Sequence, residues 1–244
     1  MTRLVLFVLT LAAAFVAAAA VGRAVGPLER EVEPAEHGAG GADEPRFSLE
    51  LLAGPPSLAF RIAGAESFDV MHERRMHLIV VRRDLTGFMH LHPEQRADGA
   101  WEVPVPLSAP GTWTAFADFS SGGERATLSF DLHATGSFRA RRLPPPATVV
   151  HTDGYEVRLD GDVAAGRLAF AVTRGGRPVA VDRYLGARGH LVVLREGDLE
   201  YLHVHAEEDE LAFETDFPSP GRYRLFLQFE ADGAVHTAEF TVQA

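Results

Sequence analysis

The chain has 244 residues, and its 34 acidic residues outnumber 23 basic ones, every one of them arginine, for a formal charge of −11. Cysteine is absent, which excludes a disulfide framework, thiolate zinc sites, iron–sulfur clusters, Cys-based blue-copper centres, a Cys nucleophile and a lipidated Cys behind a signal segment. The 46% apolar content is that of a globular protein, and the acidic balance argues against nucleic acid as a partner, because counterion release needs clustered basic side chains.

Residues 4–22, LVLFVLTLAAAFVAAAAVG, carry no charge and follow Arg3. Their length matches the ~20 residues of a membrane-spanning helix, so an uncleaved transmembrane anchor is expected over 1–22. The alternative is a signal segment cut at Ala18-Ala19-Ala20, although signal cores usually run only ~7–15 residues. Either way the remainder is expected outside the cytoplasm, anchored to the cell membrane or secreted. Residues 23–45, rich in Gly, Pro, Ala and Glu and including His37, read as a flexible acidic linker.

From residue 46 the pattern turns to short apolar or alternating runs broken by Gly, Pro and Asp, the rhythm of strands. SLAFRIA (57–63), HLIVV (77–81), FMHLH (88–92) and TWTAFADF (112–119) are followed, beyond GSFRARRLPPPA (136–147), by RLAFAVT (167–173), HLVVLR (190–195), EYLHVH (200–205) and RYRLFLQF (222–229). No helical period is evident after residue 22, so the class is all-β. The two sets are copies. His77-Leu78-Ile79-Val80-Val81-Arg82 aligns with His190-Leu191-Val192-Val193-Leu194-Arg195 at an offset of 113, and Phe88-Met89-His90-Leu91-His92 with Tyr201-Leu202-His203-Val204-His205. Pro110-Gly111-Thr112-Trp113 aligns with Pro220-Gly221-Arg222-Tyr223 at 110, and Phe116, Phe119 and Phe130 with Phe226, Phe229 and Phe240. Two β-sandwich repeats are expected, 46–134 and 148–244, joined by a Pro/Arg linker over 135–147. Trp101, Trp113, Tyr223 and the paired phenylalanines are expected in the two cores.

The copies share seven of eighteen residues between 77–94 and 190–207, and three of the seven are histidines. A hairpin turning at Gly197-Asp198 sets His190 across from His205 and puts His190, His203 and His205 on one face. The equivalent trio is His77, His90 and His92, with His77 opposite His92. Opposed Cβ atoms lie ~4.5–5.5 Å apart, within reach of a shared ion at ~2.0–2.1 Å per nitrogen. Each trio is therefore a candidate metal site, one per repeat, against the alternative that the histidines are structural and hydrogen-bonded. Met71 and His72 precede the first trio in a loop placed to fold over it, whereas Met76 and Met89 alternate away into the core. Thioether with imidazole suits copper, and imidazoles alone suit Zn(II) or Cu(II). Glu94 and Glu207 occupy matching positions as further ligands or as partners orienting imidazoles. His133, His151 and His236 have no His counterpart in the other copy and read as surface or strand residues.

The segments MHLIVVRRDLTGFMHLHPE (76–94) and YLGARGHLVVLREGDLEYLHVHAEE (184–208), followed by PSPGRYRLFLQF, resemble a family of uncharacterised bacterial membrane-anchored or secreted proteins with two such His-x-His hairpins behind an N-terminal hydrophobic segment. The resemblance covers most of the chain and departs from the common form at Ala206, where Pro would follow His-x-His. It implies heavy-metal, chiefly copper, handling on an immunoglobulin- or cupredoxin-like fold. The expected function is a membrane-tethered, extracytoplasmic metal-binding protein, with copper or zinc as its ion. The alternative is a non-enzymatic cell-envelope interaction module with a protein partner. A cupin-type metalloenzyme, for which His203-x-His205 and Glu210 would supply half a ligand set, lacks a later His and an identifiable general acid or base.

Overall fold

Runs of four to eight apolar or alternating residues are too short for stable helices and have one or two faces to bury, which is what a sheet provides. The computed structural model describes residues 46–202, 204–206 and 210–244 and shows eighteen strands there. The expected anchor (1–22) and acidic linker (23–45) lie outside the described residues. Among the described residues no helix is long and apolar enough to cross a membrane.

The first repeat contains β1 (Ser48–Ala53), β2 (Ser57–Ala63), β3 (His77–Arg82), β4 (Phe88–Leu91), β5 (Glu94–Gln95), β6 (Trp101–Pro104), β7 (Gly111–Ser121) and β8 (Glu124–Ala134). The second contains β9 (Val149–Thr152), β10 (Tyr155–Asp160), β11 (Arg167–Arg174), β12 (Arg177–Pro178), β13 (His190–Arg195), β14 (Tyr201–Leu202), β15 (His205–Ala206), β16 (Ala212–Glu214), β17 (Arg222–Ala231) and β18 (Ala234–Gln243). Each repeat is a sandwich of two antiparallel sheets with the same strand order. In the first, β1-β2-β6-β5 packs on β4-β3-β7-β8; in the second, β10-β11-β16-β15, extended by β9 and β12, packs on β14-β13-β17-β18.

The duplication extends to single hydrogen bonds. Trp113 Nε1 donates to the Ala109 carbonyl at 3.0 Å, and Tyr223 OH donates to the Ser219 carbonyl at 2.7 Å. Both aromatics are fully buried, so each polar tip needs a partner, and each finds it four residues back.

Both repeats belong to one compact unit. Side chains alternate across a strand, and β3 and β13 bury both faces. Leu78 and Val80 enter the first core, Leu191 and Val193 the second, while Ile79, Val81, Val192 and Leu194 meet Phe116 and Phe226 in a third cluster between the repeats. Phe88 stacks on Phe226 with centroids 4.2 Å apart and planes 9° apart, and Phe116 lies against Tyr201 at 5.3 Å. Exchanging the repeats turns one contact into the other, because Phe88 corresponds to Tyr201 and Phe116 to Phe226. The docking is therefore close to two-fold symmetric. Leu143, in the expected linker, is buried in this third cluster, and the Arg141 backbone N–H donates to Asp84. The connection is pinned to the interface along part of its length.

Candidate metal centre

The face of β3 and β4 that carries the histidines is turned toward the other repeat. Leu78 pairs with Leu91 and Ile79 with His90, which sets His77 level with His92 and puts His77, His90 and His92 on the side of Ile79. Their ring centroids lie 4.8–5.2 Å apart. Imidazoles bound tetrahedrally to one ion at ~2.0–2.1 Å per nitrogen have centroids about 5 Å apart. Each ring offers a nitrogen within 4.8 Å of the other two. Met76 and Met89 belong to the core of the first sandwich, as the alternation requires.

The protons on these rings are placed by their neighbours. His77 Nε2 lies 3.0 Å from the Met71 carbonyl oxygen, which can only accept, so that nitrogen carries the proton. His90 Nδ1 lies 2.6 Å from Gln228 Oε1, an oxygen that can only accept, and the Gln228 amide nitrogen lies 3.5 Å from the Thr237 hydroxyl. His90 Nδ1 therefore donates as well. What remains is His77 Nδ1 and His90 Nε2, two lone pairs facing each other at 3.0 Å. A proton or a metal ion relieves that opposition. Burial disfavours the proton and, reinforced by His77, pushes His90 down to about 3. His92 is lowered to about 4 for the same reasons, and burial also lowers His77. The third ring has the complementary feature: His92 Nε2 is buried and has no hydrogen-bond partner among the described residues. Buried polar nitrogens are normally satisfied, and rings whose outer N–H is tied to a carbonyl are the usual form of a metal ligand. The three histidines fit a metal ion.

The second repeat reaches the same place. Val193 pairs with Leu202 and Leu194 with Tyr201, the register expected from the Gly197-Asp198 turn. The ladder stops there. His205 pairs with Glu214 of β16, not across from His190, because the chain leaves β13 for the other sheet, as the first repeat does between Leu91 and Glu94. His203 and Glu207 lie outside the described residues, and His205 is described by its backbone alone. His190 points into the inter-repeat space, and its Nε2 is 2.9 Å from the Tyr184 carbonyl, the counterpart of the His77–Met71 contact. Its Nδ1 is thereby left bare, and burial lowers it to about 4. His190 lies 6.0 Å from His90 and 5.0 Å from His72, centroid to centroid, and His72 is nearer to it than to His77 at 6.1 Å. His77, His90, His72, His190 and Asp118 border one cavity of about 80 Å³ between the repeats.

Tight turns hold this arrangement. His72 and Glu73 both have positive φ (46° and 61°), with Met71 and Arg74 exchanging backbone hydrogen bonds; Leu185 and Gly186 (49° and 78°) repeat the turn between Tyr184 and Ala187. Met71 contributes its carbonyl, while its sulfur lies 3.3 Å from Arg125 Nε. Glu94 is not brought into the cluster: it is exposed on β5, opposite Glu102, because the chain has already crossed to the other sheet. His133, beside Thr112, His151, on β9, and His236, bonded to Asp153, stand apart. Gln228 was not singled out from sequence. Its signal was a polar residue inside the apolar run RYRLFLQF, at the position that corresponds to Asp118.

A duplicated β-sandwich with an imidazole cluster at its waist is the class of protein defined here. The chain belongs to the family described as "Domain of unknown function (DUF8832)", whose model matches residues 53–136 and 148–244, one stretch in each repeat. Among solved structures it is similar to a chain described as "Biofilm associated protein - BSP domain", at 15% identity and a TM-score of 0.20, covering 77% of this chain and 27% of that one. The chain thus spans about a quarter of that protein's length. No curated protein matches.

Proposed function

We propose that the protein is a non-enzymatic, membrane-tethered, extracytoplasmic copper-binding protein that holds its ion on His77, His90 and His92. The observation that carries this reading is the convergence of three imidazoles, each offering a nitrogen within 4.8 Å of the other two, with His92 Nε2 buried and without a hydrogen-bond partner among the described residues. The donor set is all nitrogen, since Met76 and Met89 pack in the core and the Met71 sulfur lies against Arg125. Nitrogen sites bind Cu(II) ahead of Zn(II), which makes copper the favoured ion and zinc the comparator. Location rests on the uncharged run 4–22.

The test is titration of the full-length chain with Cu(II), Cu(I) and Zn(II), repeated on a variant with His77, His90 and His92 all changed to Ala. Copper is expected to bind more tightly than about 10 μM and the triple variant to lose it. No ion bound below that concentration would sink the reading. The chain is further expected to sediment with membranes and resist alkaline extraction.

A further inference from the structure

The trio alone does not account for the second repeat's part in the cluster. We propose that the centre belongs to both repeats: Gln228 of the second holds His90 in the tautomer that binds a cation, and His190 of the second closes the coordination sphere, so that holding the ion and docking the repeats are one coupled equilibrium. This rests on the metal-binding reading of the trio.

The contact between His90 Nδ1 and Gln228 Oε1 crosses the repeat boundary at 2.6 Å. Without that acceptor His90 is free to carry its proton on Nε2, the nitrogen that faces His77, and the lone pair needed by a metal is lost. Gln228 is itself buried, lies on β17 two residues beyond Phe226, and is set level with His190 in the pairing of β13 with β17. Gln228 and His190 therefore move as one piece with the apolar docking face. His190 Nδ1 is left bare by the Tyr184 carbonyl in the way that His77 Nδ1 is by Met71. Its ring is 6.0 Å from His90, against 4.8–5.2 Å within the trio, so it borders the trio and must move toward it to coordinate the same ion. The sphere is otherwise one donor short of the four usual for zinc and common for copper.

Copper(II) and zinc(II) affinities of the full-length chain are compared with those of Gln228→Leu, Gln228→Glu, His190→Ala and His92→Ala, together with melting temperatures with and without the ion. Outer partners of metal-bound histidines are typically worth 10–100-fold in affinity. Gln228→Leu is expected to weaken binding by that factor and Gln228→Glu, which still accepts from Nδ1–H, to restore it. A purely structural Gln228 would show no such rescue. His190→Ala is expected to weaken binding tenfold or more and to change the Cu(II) electron paramagnetic resonance spectrum, which reports the number of coordinated nitrogens. Wild-type affinity and spectrum in both Gln228→Leu and His190→Ala, with binding lost in His92→Ala, would overturn the shared centre while leaving the trio standing. Absence of binding in the unaltered chain would remove the trio as well.

Discussion

The ring nitrogens of His77, His90 and His92 differ in the partners they meet in the protein, and this separates their substitutions. His92 Nε2 makes no hydrogen bond among the described residues, so His92→Ala is expected to abolish ion binding while changing the stability of the ion-free protein by less than about 1 kcal/mol, because no satisfied partner is lost. Chemical denaturation in chelator beside a copper titration checks both halves. The same rings set a pH dependence. His90, His92 and His190 titrate at about 3, 4 and 4 in the fold and near 6.5 when unfolded. Between those values the unfolded chain binds more protons, so stability is complete above pH ~6.5 and falls as pH drops below it. The loss is of the order of 2 kcal/mol for the deeply buried His90 by pH 5 and smaller for the half-buried His92, which water screens. Urea midpoints of the ion-free protein measured at pH 7.5, 6 and 5 are expected to fall in that order, and a flat profile would show that the rings are not held neutral. The trio's alternation and its repetition at offset 113 were legible in the sequence. Gln228 and the approach of His72 to His190 were not, because both depend on how the two repeats dock.

At the scale of strands, β3 and β13 carry the arrangement because both of their faces are buried, one in a sandwich and one against the other repeat. HLIVVR and HLVVLR have almost no polar interruption, the mark of a strand covered on two sides. The strand runs and the turn chemistry were readable from sequence. The short strands β5, β12, β15 and β16 were not, since two or three residues carry no period of their own and form only where a neighbouring edge pairs with them. For the same reason EYLHVH, which reads as one strand, is divided between two sheets. Gly189 shows how closely the site is packed: a Cβ there would meet the Gln228 carbonyl oxygen at 2.8 Å and a Leu211 methyl at 2.5 Å. Gly189→Ala is expected to push β13 from β17 next to His190, lowering both the melting temperature and copper affinity. Phe226→Ala, which removes the ring stacked on Phe88, is expected to cost about 3–5 kcal/mol, read by denaturant unfolding.

Over the whole molecule, an ion bound between two docked bodies stabilises the docked state by mass action. At a free ion concentration of a hundred times Kd the gain is about 2.7 kcal/mol, so copper is expected to raise the melting temperature and chelator to reverse it. An unmoved melting curve in saturating copper would place the ion away from the fold's interior. The sequence showed that there were two sandwiches, but not which faces they join, because the apolar residues at 79, 81, 192 and 194 read equally well as core.

The near two-fold docking makes the molecule equivalent to an isologous dimer whose subunits happen to share a chain. Such an interface keeps its halves together whether or not a peptide links them. Residues 135–142 are exposed, whereas Leu143 stays buried in the contact. A protease site placed in that stretch should therefore give a nicked species that runs as one particle on a sizing column and separates only in denaturant.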